Sequence, residues 1–344
     1  MTPVCPVPYD ESEVVLLGHG AGGRLTAELL ASLVLPALGG PPAGPLEDAA
    51  ALPGEPQLLV TTDSFVVSPL VFPGGDIGSL AVHGTVNDLA MRGALPVALT
   101  LAVIAEEGLP LAELGAVLGS AGKAAHQVGV PFATGDTKVV GRGAADWLFL
   151  TTTGIGRRIG GLNPSAARAR PGDAVLLSGP IGLHGTAVLS TREGLGFEAD
   201  IASDSAPLHR LVAALAPFGI HIHALRDPTR GGLAASLNEI ARDSAVSVTV
   251  EESLIPIPSA VASACDLLGL DPLVVANEGC MVAFVAPQVA EGALATLRSL
   301  PEGAEAVRIG EVTDGPEGRV LMRTLVGAHR VVDMPLGEQL PRIC

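Results

Sequence analysis

The chain has little lysine, few aromatic residues, no long apolar run and no excess of positive charge. Each shortage excludes something. Of 20 lysines and arginines only Lys123 and Lys138 are lysines. Arginine keeps its proton in proteins, whereas a lysine can be tuned to lose it. A chain so committed to arginine singles out the lysine in Gly135-Asp136-Thr137-Lys138. Lys123 sits in an alanine-rich helical run and reads as a solvated side chain. Aromatics make up 3 % of a chain that is 48 % hydrophobic, so the core is aliphatic and alanine-rich. No run of eighteen apolar residues occurs, so no membrane span is expected. Residues 1–10 lack the basic region and apolar core of a signal peptide. The four cysteines, Cys5, Cys265, Cys280 and Cys344, are far apart and form no CxxC pair. That argues against zinc and a disulfide framework and fits a reducing cytoplasm. A net charge of -16 argues against nucleic-acid binding, which needs a basic footprint. It leaves anionic substrates open, because backbone amides and metal ions hold phosphates locally.

What is present is an alternation of apolar strands, glycine turns and helices over 344 residues, with 43 glycines and 28 prolines. The order predicts two α/β domains. The divisions fall as an arm over 1–40, a first domain over 41–156, a second over 157–330, and a tail over 331–344. Helices are expected at 25–34, 78–91, 111–128, 207–216, 233–242 and 259–268. Strands are expected at 58–62, 96–104, 147–154, 174–178, 246–250, 273–276, 281–285, 308–312 and 320–323. Two short strands are expected around Gly135-Asp136.

Three features point to chemistry. The run Gly18-His19-Gly20-Ala21-Gly22-Gly23-Arg24 precedes a helical stretch, an arrangement that wraps anions. A flexible linker would look similar, but His19 and Arg24 favour phosphate contact. Asp48, Asp63, Asp88 and Asp136 stand at the ends of apolar elements among glycines. Singly each reads as a cap or turn residue; as a set they suit Mg²⁺, which takes carboxylates and substrate phosphates. Finally the sequence stops on Pro341-Arg342-Ile343-Cys344, after a proline-punctuated run that holds no helix. That predicts a swinging arm with a thiol that can carry a covalent group, or a terminus that ends on cysteine by chance.

The motifs resemble those of the HypE family of hydrogenase maturation factors, within the superfamily of aminoimidazole ribonucleotide synthetase, selenophosphate synthetase and thiamine-phosphate kinase. The stretches that carry it are residues 18–25, Thr61-Thr62-Asp63-Ser64-Phe65 and Gly84-Thr85-Val86-Asn87-Asp88-Leu89-Ala90. To these add Gly135-Asp136-Thr137-Lys138-Val139-Val140, Arg226-Asp227-Pro228-Thr229-Arg230-Gly231-Gly232, Asn277-Glu278-Gly279 and the Pro-Arg-Ile-Cys end. Ala21 departs from a family loop that more often shows serine. The resemblance implies a two-domain PurM-like α/β fold that binds ATP and Mg²⁺ and dimerises through its first domain. It implies that a carbamoyltransferase, HypF, places a carboxamide on Cys344. ATP-dependent loss of water then leaves a thiocyanate, whose cyanide goes to iron through HypC–HypD. By the same resemblance Lys138 and Glu278 lie near the tail sulfur, either one the base. The resemblance further implies that His19, Gly20, Gly22, Gly23, Arg24, Thr62 and Asn87 contact ATP. Read from the residues themselves, His184 in Gly182-Leu183-His184-Gly185 either touches phosphate or caps a turn and is left out of the site. Asp227 and Arg230, at a helix start, support the nucleotide site or the domain contact and rank below the others. Rival readings are a synthase of the same superfamily acting on a free small molecule, and a nucleotide-binding scaffold without catalysis.

Overall fold

The computed structural model describes residue 19 and residues 23–37, 45–52, 54–192, 201–336 and 342–344. A helical stretch over 24–37 opens it, with α1 (Arg24–Leu29) and α2 (Leu35–Ala37) at its ends. The first domain then contributes β1 (Ala50–Leu52), β2 (Glu55–Phe65), β3 (Val71–Phe72), β4 (Gly75–Asp76), α3 (Ile77–Met91), β5 (Ala94–Glu106), α4 (Leu111–Val128), β6 (Phe132–Val140) and β7 (Leu148–Arg158). The second contributes β8 (Ala174–Leu177), α5 (Leu183–Arg192), α6 (His209–Ala214), β9 (Ile222–Arg226), α7 (Gly232–Asp243) and β10 (Ser247–Glu251). It continues with α8 (Ser259–Leu268), β11 (Val282–Val285), α9 (Ala290–Arg298), β12 (Val307–Thr313), β13 (Arg319–Arg323) and β14 (His329–Val331).

The first sheet runs β1-β2-β7-β5-β6, antiparallel except for the parallel pair β5–β6. One face is covered. On β7 the even residues from Leu148 to Gly156 are buried while the odd ones are partly or well exposed, the period-two signature of a half-buried strand. Helix α3 covers that face, and Gly154 lets it approach: a Cβ there would stand 2.7 Å from the Thr85 methyl. Asp76 starts α3 by accepting from the N–H groups of Gly78 and Ser79 at 2.7 and 2.9 Å, while Ser79 Oγ accepts from the Asp76 N–H. Such a cap contributes about 1 kcal/mol. Leu80, Val86 and Leu89 of α3 are fully buried, each stabilising the fold by about 1.5–3 kcal/mol.

The second sheet runs β14-β13-β10-β12-β8-β11-β9 and is covered on both sides. Val175, Leu177, Val282 and Phe284 pack on the side of α7; Ala174, Leu176, Ala283 and Val285 pack on the side of α6 and α9. Strands buried on both faces read as unbroken apolar runs, which is why β8 and β11 are so plain in the sequence.

Two expectations are corrected. Residues 132–140 form one strand, because they pair continuously with β5 past the glycine: a Cβ on Gly135 would lie 2.4 Å from the Leu101 carbonyl oxygen, so glycine permits the pairing. Residues 273–276 form no strand; Pro272–Val274 is a single 3₁₀ turn, started by Asp271, whose side chain accepts from the Leu273 N–H at 3.0 Å.

Candidate active site

A cleft of about 260 Å³ opens between the domains, lined by Asp48, Thr61, Thr62, Asp63, Asp88, Asp227, Arg230, Glu278 and Cys344 among others. Strand parity builds its floor. On β2, Thr61 and Asp63 point to the face covered by α3, which brings Asp88 beneath them; Thr61 Oγ1 donates to Asp88 Oδ2 at 2.7 Å. From the other domain, Asp227 directly follows β9. Asp48 reaches in from the segment before β1 and is held by Arg226 at 2.6 Å. Asp48, Asp88 and Asp227 each place one oxygen within 4.8 Å of the others. Burial pushes all three carboxyls up, and Asp88 lies well above its ordinary value because Asp227, Asp63 and Asp48 add repulsion to its burial. Asp227 is pushed to about 7 by burial and then by Asp48. Asp48 Oδ2 is buried without a hydrogen-bond partner. Clustered hard oxygens, one of them orphaned, with Arg226 offsetting only part of their charge, fit a divalent cation.

Cys344 lines this cleft, and residues 342–344 are anchored beside it. The Val66 N–H donates to the Cys344 carbonyl oxygen at 3.0 Å and the Ser68 N–H to that of Arg342 at 3.3 Å. The Arg342 guanidinium returns two bonds to the Val66 carbonyl at 3.1 and 3.0 Å and pairs with Asp146. Arg192 donates to the Arg342 carbonyl, and His184 Nε2 to that of Ile343 at 2.9 Å. Ile343 is buried in the same apolar cluster as Phe65, Leu70 and Leu150. Cys344 itself is half-buried. Its electrostatic interaction with Arg230 is the first cause that raises the proton affinity of that guanidinium, burial opposing, with Asp63 and Glu278 adding to it.

Glu278 is buried, and its carboxyl is pushed well above its ordinary value by burial, then by Asp227, Asp204 and Asp63. Glu278 Oε1 has no hydrogen-bond partner. Its backbone is fixed by Asp204, whose carboxylate accepts from the N–H groups of Glu278 and Gly279 at 3.1 and 3.0 Å. That contact needs glycine, since a Cβ on residue 279 would fall 1.8 Å from the Asp204 carbonyl oxygen. A buried carboxyl with raised proton affinity is, once ionised, a stronger base than an ordinary carboxylate.

Other sequence-predicted residues fall elsewhere. Asn87 is fully buried and spent: Oδ1 accepts from the Leu208 N–H at 2.7 Å, and Nδ2 donates to the carbonyls of Ala206 and Glu278 at 3.0 and 3.3 Å. It ties the domains together and has no free polar atom for a nucleotide. Asp136 and Lys138 are not among the described residues lining the cleft. They share the uncovered face of the first sheet, because Thr62, Thr153 and Thr100 on that face lead across to Thr134, two residues from Asp136. There they pair with each other at 2.6 Å, both well exposed. Thr62 does border the cleft, with its hydroxyl on the Thr152 carbonyl at 3.0 Å. Arg24 begins α1, pairs with Glu28 at 3.4 Å and gives its N–H to the Pro335 carbonyl. Gly23 precedes it as the helix cap, and His19 is half-exposed; Gly20 and Gly22 lie outside the described residues. Asp204 carries no motif signal in the sequence, and Asp227 is ranked there below the four aspartates of the set.

The fold and cleft define a class. The AIR synthase related protein family matches twice, its N-terminal domain at residues 46–158 and its C-terminal domain at 170–323. Within that class, the carbamoyl dehydratase HypE of Rhizobium leguminosarum bv. viciae is 52 % identical over 331 residues, covering 95 % of this chain and 94 % of that protein. That of Escherichia coli strain K12 is 42 % identical over 337 residues, with 96 % and 99 % covered. A HypE structure in complex with ATP superposes with TM-score 0.81 at 50 % identity over 96 % of this chain and all of that one. A HypE–HypF complex gives 0.84 at 46 % identity, covering 91 % and 100 %. The chain belongs to the HypE carbamoyl dehydratase family. Among its described residues, no helix is long and apolar enough to cross a membrane.

Proposed function

We propose that the protein dehydrates a carboxamide carried on Cys344 to a thiocyanate, using ATP, as a step in making the cyanide ligands of nickel–iron hydrogenase. The observation that carries this reading is the seating of Cys344 in the cleft that also holds the acidic cluster and the buried Glu278. An amide oxygen leaves poorly. Transfer of the γ-phosphoryl group of ATP to that oxygen, with ADP leaving and one of the two amide N–H protons lost, makes S–C(OPO₃²⁻)=NH. Breaking its C–O bond releases phosphate, the imino N–H proton goes to a base, and S–C≡N remains. Glu278 stands as that base by its raised proton affinity; Lys138 is the second candidate. Arg230 offsets negative charge beside Cys344. Asp48, Asp88 and Asp227, with Asp63 beside them, would hold Mg²⁺, which when bound supplies charge neutralisation for phosphoryl transfer.

HypF is the proposed carbamoyl donor, supported by the HypE–HypF complex of a relative, and HypC–HypD the proposed acceptor. Free Cys265, Cys280 and Cys344 fit the reducing cytoplasm. The tail would swing between the cleft and these partners. A homodimer through the first domain would cover the uncovered sheet face, where Leu95, Ile104 and Ile155 are exposed. Incubation with HypF, carbamoyl phosphate and ATP should add a cyano group to the peptide carrying Cys344, and omission of ATP from a pre-carbamoylated sample should stall that peptide one water heavier. Modification of Cys265 or Cys280 in its place would overturn the assignment.

A further inference from the structure

His184 belongs to a sequence motif that the chemistry above leaves unused. It is fully buried on α5, edge-on to Phe72 with ring centroids 5.3 Å apart. Burial lowers its proton affinity to about 4, so the ring is neutral near neutral pH. A carbonyl only accepts, so Nε2 carries the hydrogen toward Ile343 O, and Nδ1 accepts from the Ser203 hydroxyl at 2.7 Å. The next residue, Asp204, accepts from the backbone N–H of His184 as well as from those of Glu278 and Gly279. One residue thus touches the tail with one ring nitrogen and the loop that holds Glu278 with the other.

We propose that His184 is a positioning residue that couples the seating of residues 342–344 to the order of the 203–205 loop and, through Asp204, to the placement of Glu278. This deepens the reading of Cys344 as the carrier and rests on it. When the tail leaves, Nε2–H loses its carbonyl acceptor, and a donor left unpaired is costly. The ring and the Ser203 hydroxyl must then rearrange, and the Asp204 clamp loosens with them. Glu278 is therefore held in place when the sulfur is present and less so when it is away.

The test compares the full-length protein, His184→Phe, His184→Gln, and a chain shortened by residues 342–344. Two readouts are taken: iodoacetamide alkylation of Cys344, followed on its own peptide, and amide hydrogen exchange over residues 201–208, with β7 as the folding control. His184→Phe should raise the alkylation rate about tenfold, as expected for loss of one buried hydrogen bond. His184→Gln, which keeps a side-chain donor, should restore most of the protection. The shortened chain should exchange faster over 201–208 with β7 unchanged. Wild-type alkylation in a folded His184→Phe protein overturns the proposal. So does a shortened chain that exchanges over 201–208 at the full-length rate, a result that decides the matter even where His184→Phe fails to fold. Neither readout needs ATP or a carbamoyl donor, so failure here and failure of the proposed reaction are separately visible.

Discussion

The two faces of β2 obey different electrostatics. On the covered face, Asp63 joins Asp88, Asp48 and Asp227 in a buried cluster: burial raises the proton affinity of each, neighbouring aspartates add to it at Asp88 and Asp227, and Arg230 opposes it at Asp63. On the open face, Thr62 lies in the sheet surface that carries Asp136 and Lys138, a solvated pair that satisfies itself; Lys138 and a backbone N–H lower the Asp136 carboxyl. The first arrangement holds four carboxyls against Arg226 and Arg230, which leaves room for further positive charge from outside. The second needs nothing further inside one chain. The same residue types therefore mean a cation site on one face and a surface pair on the other.

The largest way to break that contrast is Asp88→Asn. The amide still accepts from Thr61, but the charge is gone. ATP-dependent conversion of the Cys344 carboxamide should fall about a thousandfold, the scale of losing one electrostatic contact to a transition state. Cation-free stability should hold or rise, because repulsion from Asp227 and Asp63 is relieved. Single-turnover mass spectrometry and thermal unfolding check the two halves. A large loss of stability would show that Asp88 is a structural acceptor and not a charge held ready for a cation.

Asp204 separates burial from repulsion. Its carboxyl is pushed to about 6 by burial against four backbone hydrogen bonds, with no charged neighbour among the causes. Its folded value lies above the unfolded one, so its contribution to stability is complete below about pH 4 and is lost as pH rises through about 6. Between those limits wild type should lose about 3 kcal/mol relative to Asp204→Asn. Denaturant titrations at a series of pH values measure this; parallel curves would show that the group stays charged. The effect of Mg²⁺ is slightly smaller. At a hundred times its dissociation constant the ion should stabilise the protein by about 2.7 kcal/mol. Asp227→Asn should abolish this and Asp136→Asn should keep it, read as shifts in Tm. Equal losses in both variants would erase the difference between the faces.

Much of this was legible in the sequence. Helix α4 and helix α8 fall on their expected residues because their caps and periodicity are local. The motif segments 61–65, 226–232 and 277–279 do converge, with Glu278 and Cys344 in one cleft. What was hidden is which way side chains face. Asp63 and Asp136 look alike in the chain, and only strand register against the helix-covered face tells them apart. Asn87 sits beside Asp88 but turns to the domain junction, where its amide is consumed. Asp204 gives no local signal, since its role is to hold a backbone 74 residues away. The tail reads as a loose arm, yet its last residues are held by partners scattered from Val66 to Arg192, which no local pattern reveals.

Lys138 carries the smallest effect on the fold and the sharpest test of the contrast. Being exposed and paired only with Asp136, it should leave Tm unchanged on conversion to alanine. The family resemblance nevertheless sets it near the tail sulfur, and the single chain does not line the cleft with it. A two-fold dimer that buries the open face would reconcile the two, each copy lending Lys138 to its partner's site. Lys138→Ala and Cys344→Ser would each be inactive alone. In mixed dimers, a Lys138→Ala copy keeps its own Cys344 and receives an intact lysine from the other chain. Random pairing should then restore about a quarter of wild-type conversion. If Lys138 serves its own chain, mixing restores nothing, because no site contains both groups. If Lys138→Ala is active by itself, Glu278 takes the proton unaided and the open face is only an interface.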